Sequence, residues 1–138
     1  MAKLQTLDQQ RAAFAWDKVS TLGGSEKYRT LVRQLPARVQ ANGLAQTLAF
    51  LLTPGEAKSD LYQHLQQWLC TTAPYPVYRV KEGRKADLMG SLLEGDSLTL
   101  RHAALEVQAL ALWLKRFAEA MEVETPSAGT PETPMEEL

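Results

Sequence analysis

Apolar residues recur along this chain at three- and four-residue intervals, the period of a helix with one buried face. Ala12, Ala15, Trp16, Val19 and Leu22 predict a first helix, ended by Gly23-Gly24. A second starts after Ser25 with the stripe Tyr28, Leu31, Val32, Leu35 and Val39, and a kink or break is expected at Pro36. Asn42-Gly43 stops it, and Leu44 to Leu52 restarts as a short, very apolar helix. Thr53-Pro54-Gly55-Glu56 has the form of a capping box, with Thr at the N-cap and Pro at the first helical position. Behind it Leu61, Leu65, Trp68 and Leu69 mark a further helix.

Regularity then lapses. Pro74 and Pro76 forbid a regular helix between Ala73 and Gly83, and the alternating Val77-Tyr78-Arg79-Val80 has no second strand to pair with, so an extended loop is expected. A short helix from Ala86 to Leu93 should stop at Gly95, with Asp96 or Ser97 capping a long last one. That helix carries two apolar faces. Ala103, Val107, Leu110, Ala111, Leu114, Phe117, Ala118 and Met121 form one, and Leu98, Leu105, Leu112 and Trp113 the other. A helix apolar on two sides is expected to be buried by several neighbours, at the centre of its fold. The pattern predicts an all-α, compact bundle of about five to six helices over residues 1–121, followed by an acidic Pro/Thr/Glu-rich tail over 122–138 with too few apolar residues to order itself.

Length and composition agree with one globular domain, since 138 residues, 45% of them hydrophobic, can bury a core unaided. The single cysteine, Cys70, cannot form an internal disulfide, which favours a reducing, cytoplasmic setting. The opening MAKLQTLDQQ lacks the apolar core of a signal peptide, and no apolar run is long enough for a membrane span. The net charge of −1 conceals an asymmetry. Six acidic residues and no basic ones lie between Glu119 and Leu138, leaving 15 basic against 10 acidic residues, a charge of +5, in residues 1–118.

Titratable groups suited to catalysis or metal binding are sparse. His64 and His102 are the two histidines; His64 and Cys70 fall on opposite sides of a helix, and no spacing suits zinc or a phosphate loop. Asp60 and His64, at i and i+4, read as an exposed stabilising pair, and Cys70 as a buried hydrophobe. Neither an enzyme nor a cofactor is expected. The basic residues are the remaining functional surface: Lys27, Arg29, Arg33 and Arg38 border the second helix's apolar stripe, Lys58 follows the capping box, and Arg79, Lys81, Arg84 and Lys85 cluster in the irregular loop near Tyr75 and Tyr78. Such a set can hold phosphates and stack bases, or can be a solvated face with a few ion pairs.

Four blocks carry a resemblance: AFAW (13–16), KYRTLVRQLPARVQANGLAQTLAFLL (27–52), LYQHLQQWL (61–69) and ALEVQALALWLKRFAEA (104–120). Their order and spacing resemble the small-subunit family of the type III-B CRISPR (Cmr) effector, most specifically in Leu35-Pro36, the NGL-x-QTLAF run from Asn42 to Phe50, and Trp113 to Ala120. The resemblance spans roughly residues 11 to 121; the loop at 73–85 and the acidic tail depart from it. It implies an all-helical, non-catalytic subunit that stacks with copies of itself in a minor filament, beside backbone and large subunits, and helps bind single-stranded target RNA against the guide RNA. It implies no membrane and no small-molecule substrate. Of the nine basic residues, Lys27, Arg29, Arg33 and Arg38 lie in a family-like block, and the other five rest on charge alone. Within the NGL-x-QTLAF run Gly43 is expected to permit a left-handed turn, Leu48, Phe50 and Leu51 to pack, and Gln46 to be structural or functional. The alternatives are a helical protein–protein adaptor without nucleic-acid contact and a small helical DNA-binding regulator.

Overall fold

The structure, a computed structural model, describes residues 4–22 and 25–124, with side chains described as far as 122. Thr6 and Gln9 start the first helix, α1 (Leu7–Leu22), by capping each other: the Gln9 amide donates to Thr6 Oγ1 at 3.0 Å and the Thr6 amide to Gln9 Oε1 at 2.8 Å. This is the reciprocal box that leaves fewer orphan amides in a first turn. The face α1 buries runs through Phe14, Ala15 and Val19. Trp16, expected in the stripe, is instead half-exposed, because the true face is centred one residue step toward Phe14.

Ser25 caps α2 (Glu26–Asn42) by accepting from the Tyr28 amide. Tyr28, Val32, Leu35 and Val39 are buried as the spacing predicts. The break expected at Pro36 does not occur; α2 continues for a further turn and a half, to Asn42. Proline removes the bond to the Val32 carbonyl, but Val32, Leu35 and Val39 around it are buried, so packing outweighs the lost bond; Gln108 Nε2, donating to the Pro36 carbonyl at 3.0 Å, ties this turn to α6. Gly43 ends α2 at φ 85° and ψ 162°. Its φ is positive, but its ψ lies outside the left-handed turn expected from sequence, in a region open essentially to glycine.

α3 (Leu44–Leu51) buries Leu44, Thr47, Leu48 and Leu51, and the Thr47 hydroxyl is satisfied by donating to the Gly43 carbonyl. α4 (Glu56–Gln67) begins two residues later than the box predicts, and not through it. Gly55 is its N-cap; Thr53 faces away, donating its hydroxyl proton to the Phe50 carbonyl and accepting from Lys58 Nζ. α4 passes into a π-helical turn over Trp68–Thr72, which places Trp68, Leu69 and Cys70 in the core. Residues 73–87 are irregular, as the prolines predict. Asp87 caps α5 (Leu88–Glu94), two residues later than expected, by accepting from the Gly90 amide, and α4 holds the entry through Gln66 to the Leu88 amide and Tyr62 to the Met89 amide.

Asp96 accepts from the Thr99 amide and so starts α6 (Ser97–Glu124), 28 residues or about 42 Å long. It packs most extensively on α2 and α1, and also meets α3 and the π-turn, which is the central position predicted. Of its first apolar face Ala103, Val107, Leu110, Ala111, Leu114 and Ala118 are buried, while Phe117 and Met121 are partly buried against the core. The second face is not buried. Leu98, Leu105 and Leu112 are 75%, 64% and 50% exposed, because α1, α2, α3 and the π-turn pack on other parts of α6 and leave this stripe open. Among the described residues the fold is six α-helices, one π-turn and no strand. Glu122, expected from sequence at the head of the tail, is still within α6; residues 125–138 lie outside the described residues.

Candidate nucleic-acid interface

The nine basic residues fall into three groups. Arg29 and Arg33 sit half-buried on one side of α2, and Arg33 is neutralised by Glu122 of α6, with Thr30 Oγ1 as a further acceptor. Lys27, Arg38 and Lys58 lie on the other side. Lys27 and Lys58 line a groove of about 850 Å³ between the starts of α2 and α4, floored by Leu22, Leu31 and Ala57 and tempered by Glu26, Glu56 and Asp60. Lys58 and Arg38 then meet at one aromatic ring: the Arg38 guanidinium lies 4.0 Å and the Lys58 ammonium 4.8 Å from the centroid of Phe50. Phe50, expected in the core, is half-buried, packed against the core with part of its surface left for the two cations.

The third group is the loop. Arg79, Lys81, Arg84 and Lys85 are all exposed and line one small cavity of about 150 Å³ against α5, together with Asp87 and Glu94. Of the two tyrosines expected to stack bases here, Tyr75 is 80% exposed, but Tyr78 is buried against the core, and burial raises its pKa. Its ring is therefore not open for a base to stack on, although it lines the small cavity beside the loop cations. Among the described residues, none of Lys27, Arg38, Lys58, Arg79, Lys81, Arg84 and Lys85 forms an ion pair.

The strongest charged network is elsewhere and is structural. Glu106, 8% exposed on α6, accepts from Arg11 Nε at 2.7 Å, Arg11 Nη2 at 2.8 Å and Trp68 Nε1 at 2.8 Å, so every donor aimed at it is matched. The Arg11 bonds hold its carboxyl below the usual range against the opposing cost of burial. His64 is not the exposed partner of Asp60 that its spacing predicts. It turns inward to the Tyr28 hydroxyl, 2.7 Å from Nδ1, and desolvation lowers its pKa to about 4. Cys70 is buried as expected, and burial pushes its thiol up to about 11, leaving almost no thiolate near neutral pH. Among the described residues no group of three or more His, Cys, Asp or Glu side chains is arranged to hold a metal ion, and no helix is long and apolar enough to cross a membrane.

Comparison with known proteins places this arrangement. Residues 7–121 match the family model for CRISPR-associated protein Cas_Cmr5. The CRISPR system Cmr subunit Cmr5 of Thermus thermophilus is 30% identical over 121 residues, covering 86% of this chain and 97% of that one. The crystal structure of a CRISPR-associated Cmr5 family protein from Thermus thermophilus superposes with a TM-score of 0.69 at 30% identity, covering 86% of this chain and 99% of the other. The matched span takes in every helix from α1 into α6, along with the Phe50 ring and the basic loop. This chain belongs to the Cmr5 family of CRISPR-associated proteins, the helical small subunits that its sequence motifs resemble.

Proposed function

We propose that the chain is a non-catalytic structural subunit of an RNA-guided CRISPR antiviral ribonucleoprotein in the cytoplasm, stacking with copies of itself in a minor filament and helping to bind single-stranded target RNA. The observation that carries the RNA half is the set of seven cationic side chains without an ion pair among the described residues, on a body whose excess acid is held in its last twenty residues. Unneutralised cations spread over a helical surface attract a phosphate backbone without reading its bases. The partners are then the backbone and large Cmr subunits, further copies of this chain, and guide RNA paired to target RNA. The exposed Leu98, Leu105 and Leu112 support the protein-contact half, since a contiguous apolar stripe on a surface helix is a feature of interaction sites.

The test is made in the assembled complex with a single-stranded RNA complementary to the guide. Neutralising Arg38, Lys58, Arg79, Lys81, Arg84 and Lys85 together to Gln should flatten the dependence of log affinity on log salt, by about 0.7 per lost contact. The second reading, a protein adaptor without nucleic-acid contact, is favoured by the same leucine stripe. It predicts an unchanged slope with subunit co-purification intact.

A further inference from the structure

We propose that Arg38, Phe50 and Lys58 form a seat for one or two adjacent phosphates of single-stranded RNA. Arg38 comes from the last turns of α2, Phe50 from the end of α3 and Lys58 from the first turn of α4, so three helices converge on this point. Both cation centres lie within 5 Å of one ring centroid, so they stand at most about 9 Å apart. Like charges do not gather unless something holds them, and here the supports are visible. The ring's negative face attracts both. Gln34 Oε1 accepts from Arg38 Nη2 at 3.1 Å, and Thr53 Oγ1 accepts from Lys58 Nζ at 2.9 Å. The Thr53 hydroxyl is itself fixed on the Phe50 carbonyl, and this is why Thr53 is drawn away from capping α4.

These supports are all neutral. Among the described residues no carboxylate pairs with either cation, and Arg38 Nε has no hydrogen-bond partner. The arrangement orients two positive charges yet leaves both uncompensated, which suits an anion arriving from outside. Arg38 Nε is buried and Nη2 is held by Gln34, so an incoming phosphate oxygen would meet the guanidinium at its remaining N–H groups. Two cations held this close together suit the closely repeated charge of a single-stranded backbone, which a basic groove tracks without reading its bases.

The proposal rests on the RNA-binding reading above and narrows it to named atoms. Arg38→Gln, Lys58→Gln and the double variant would be assembled into the complex beside a loop variant, Arg84→Gln with Lys85→Gln, and binding of guide-complementary single-stranded RNA followed from low to high salt. The double seat variant should lower the log–log slope by about 1.4, equivalent to about fivefold in affinity per contact at 0.1 M salt. Arg38→Lys with Lys58→Arg, which keeps both charges, should restore most of the slope. Phe50→Leu, which preserves packing volume, should weaken binding less than the double variant, because the ring orients the cations and does not replace them. An unchanged slope in the seat variant with a reduced one in the loop variant would refute the seat and leave the RNA-binding reading standing. Unchanged slopes in both would remove that reading as well. A seat variant that binds RNA normally but no longer co-purifies with the other subunits would assign Arg38 and Lys58 to an acidic protein partner and overturn the phosphate assignment.

Discussion

Replacing Glu106 should be among the most damaging single changes available outside the apolar core, and the size of the effect can be worked from its partners. Glu106→Gln removes the bidentate, nearly buried countercharge of the Arg11 guanidinium, leaving only the exposed Asp8 at 3.2 Å, and turns one amide group toward donors at Arg11 and Trp68. Removing one member of a buried ion pair costs about 3–5 kcal/mol. The side chains of Arg11 and Glu106 are 17% and 10% exposed, so water offsets part of that, and about 3 kcal/mol is expected. For a chain of this length that is a fall of about 10 °C in melting temperature. Arg11→Met, which keeps the packing of the stem, should cost about 2–3 kcal/mol, because Glu106 retains the Trp68 bond. The two losses should not add. Urea denaturation of the wild type, both singles and the double should give a coupling of about 2 kcal/mol.

The pH dependence gives a second handle on the same residue. The folded carboxyl of Glu106 titrates below its ordinary 4.5, so the unfolded chain takes up the proton first as pH falls. Its contribution is thus complete above the unfolded value and is lost as pH drops through the folded one. Glu106→Gln should remove that part of the acid sensitivity. Additive single losses, or an acid limb identical in wild type and Glu106→Gln, would refute the assignment of this ion pair as the tie between α1, the π-turn and α6.

Two further outcomes are expected. Because the folded pKa of His64 is about 4 against 6.5 for the free side chain, the unfolded state binds more protons between those values, and stability should be full above about pH 6.5 and decline toward pH 4; chemical denaturation at pH 5 and 7.5 should show the loss, and His64→Gln should abolish it. Changing Leu98, Leu105 and Leu112 together to Gln should alter the isolated chain's melting temperature by no more than a few degrees, since exposed positions each contribute within about 0.5 kcal/mol; co-purification with the other subunits should fall sharply, and a large loss of stability would mean that the stripe is covered by this chain itself.

Helical periodicity carries most of the fold, because each helix here buries one face and the boundaries are marked by Gly, Asn and Asp. It fails where a local rule meets a tertiary competitor. Pro36 reads as a break because the sequence does not show that the turns on either side of it are buried, nor that Gln108, seventy-two positions away, ties this turn to α6. Thr53 reads as a cap because Lys58 and the Phe50 carbonyl, which claim its hydroxyl, become neighbours only through the turn between α3 and α4. The box that does exist, Thr6 with Gln9, has its own signal in T-x-x-Q, outside the apolar pattern that located the other helix starts. His64 lies beyond spacing altogether, its partner Tyr28 being on another helix. For the nine cations, charge selects the residues, with a family-like block behind four of them, and geometry then divides them: Arg33 into an ion pair, Arg38 and Lys58 onto a shared ring, and four onto one loop.

The mismatch over α6 is of another kind. Both of its apolar faces exist; what fails is the inference that one chain must bury both. Leu98, Leu105 and Leu112 stand at heptad spacing, a straight row along a helix, and ordinary solvated helices do not carry such a row without a partner. The same logic applies to the cations: acids stand near Lys58 (Glu56, Asp60) and in or beside the 79–85 loop (Glu82, Asp87, Glu94), yet among the described residues none of them pairs with Arg38, Lys58 or the loop cations. Hydrophobic surface without cover and positive charge without countercharge are two departures from self-sufficiency in one small fold. On the proposed reading each departure is completed by something outside the chain, the leucines by protein and the cations by RNA, and the two can be broken separately by the substitutions above.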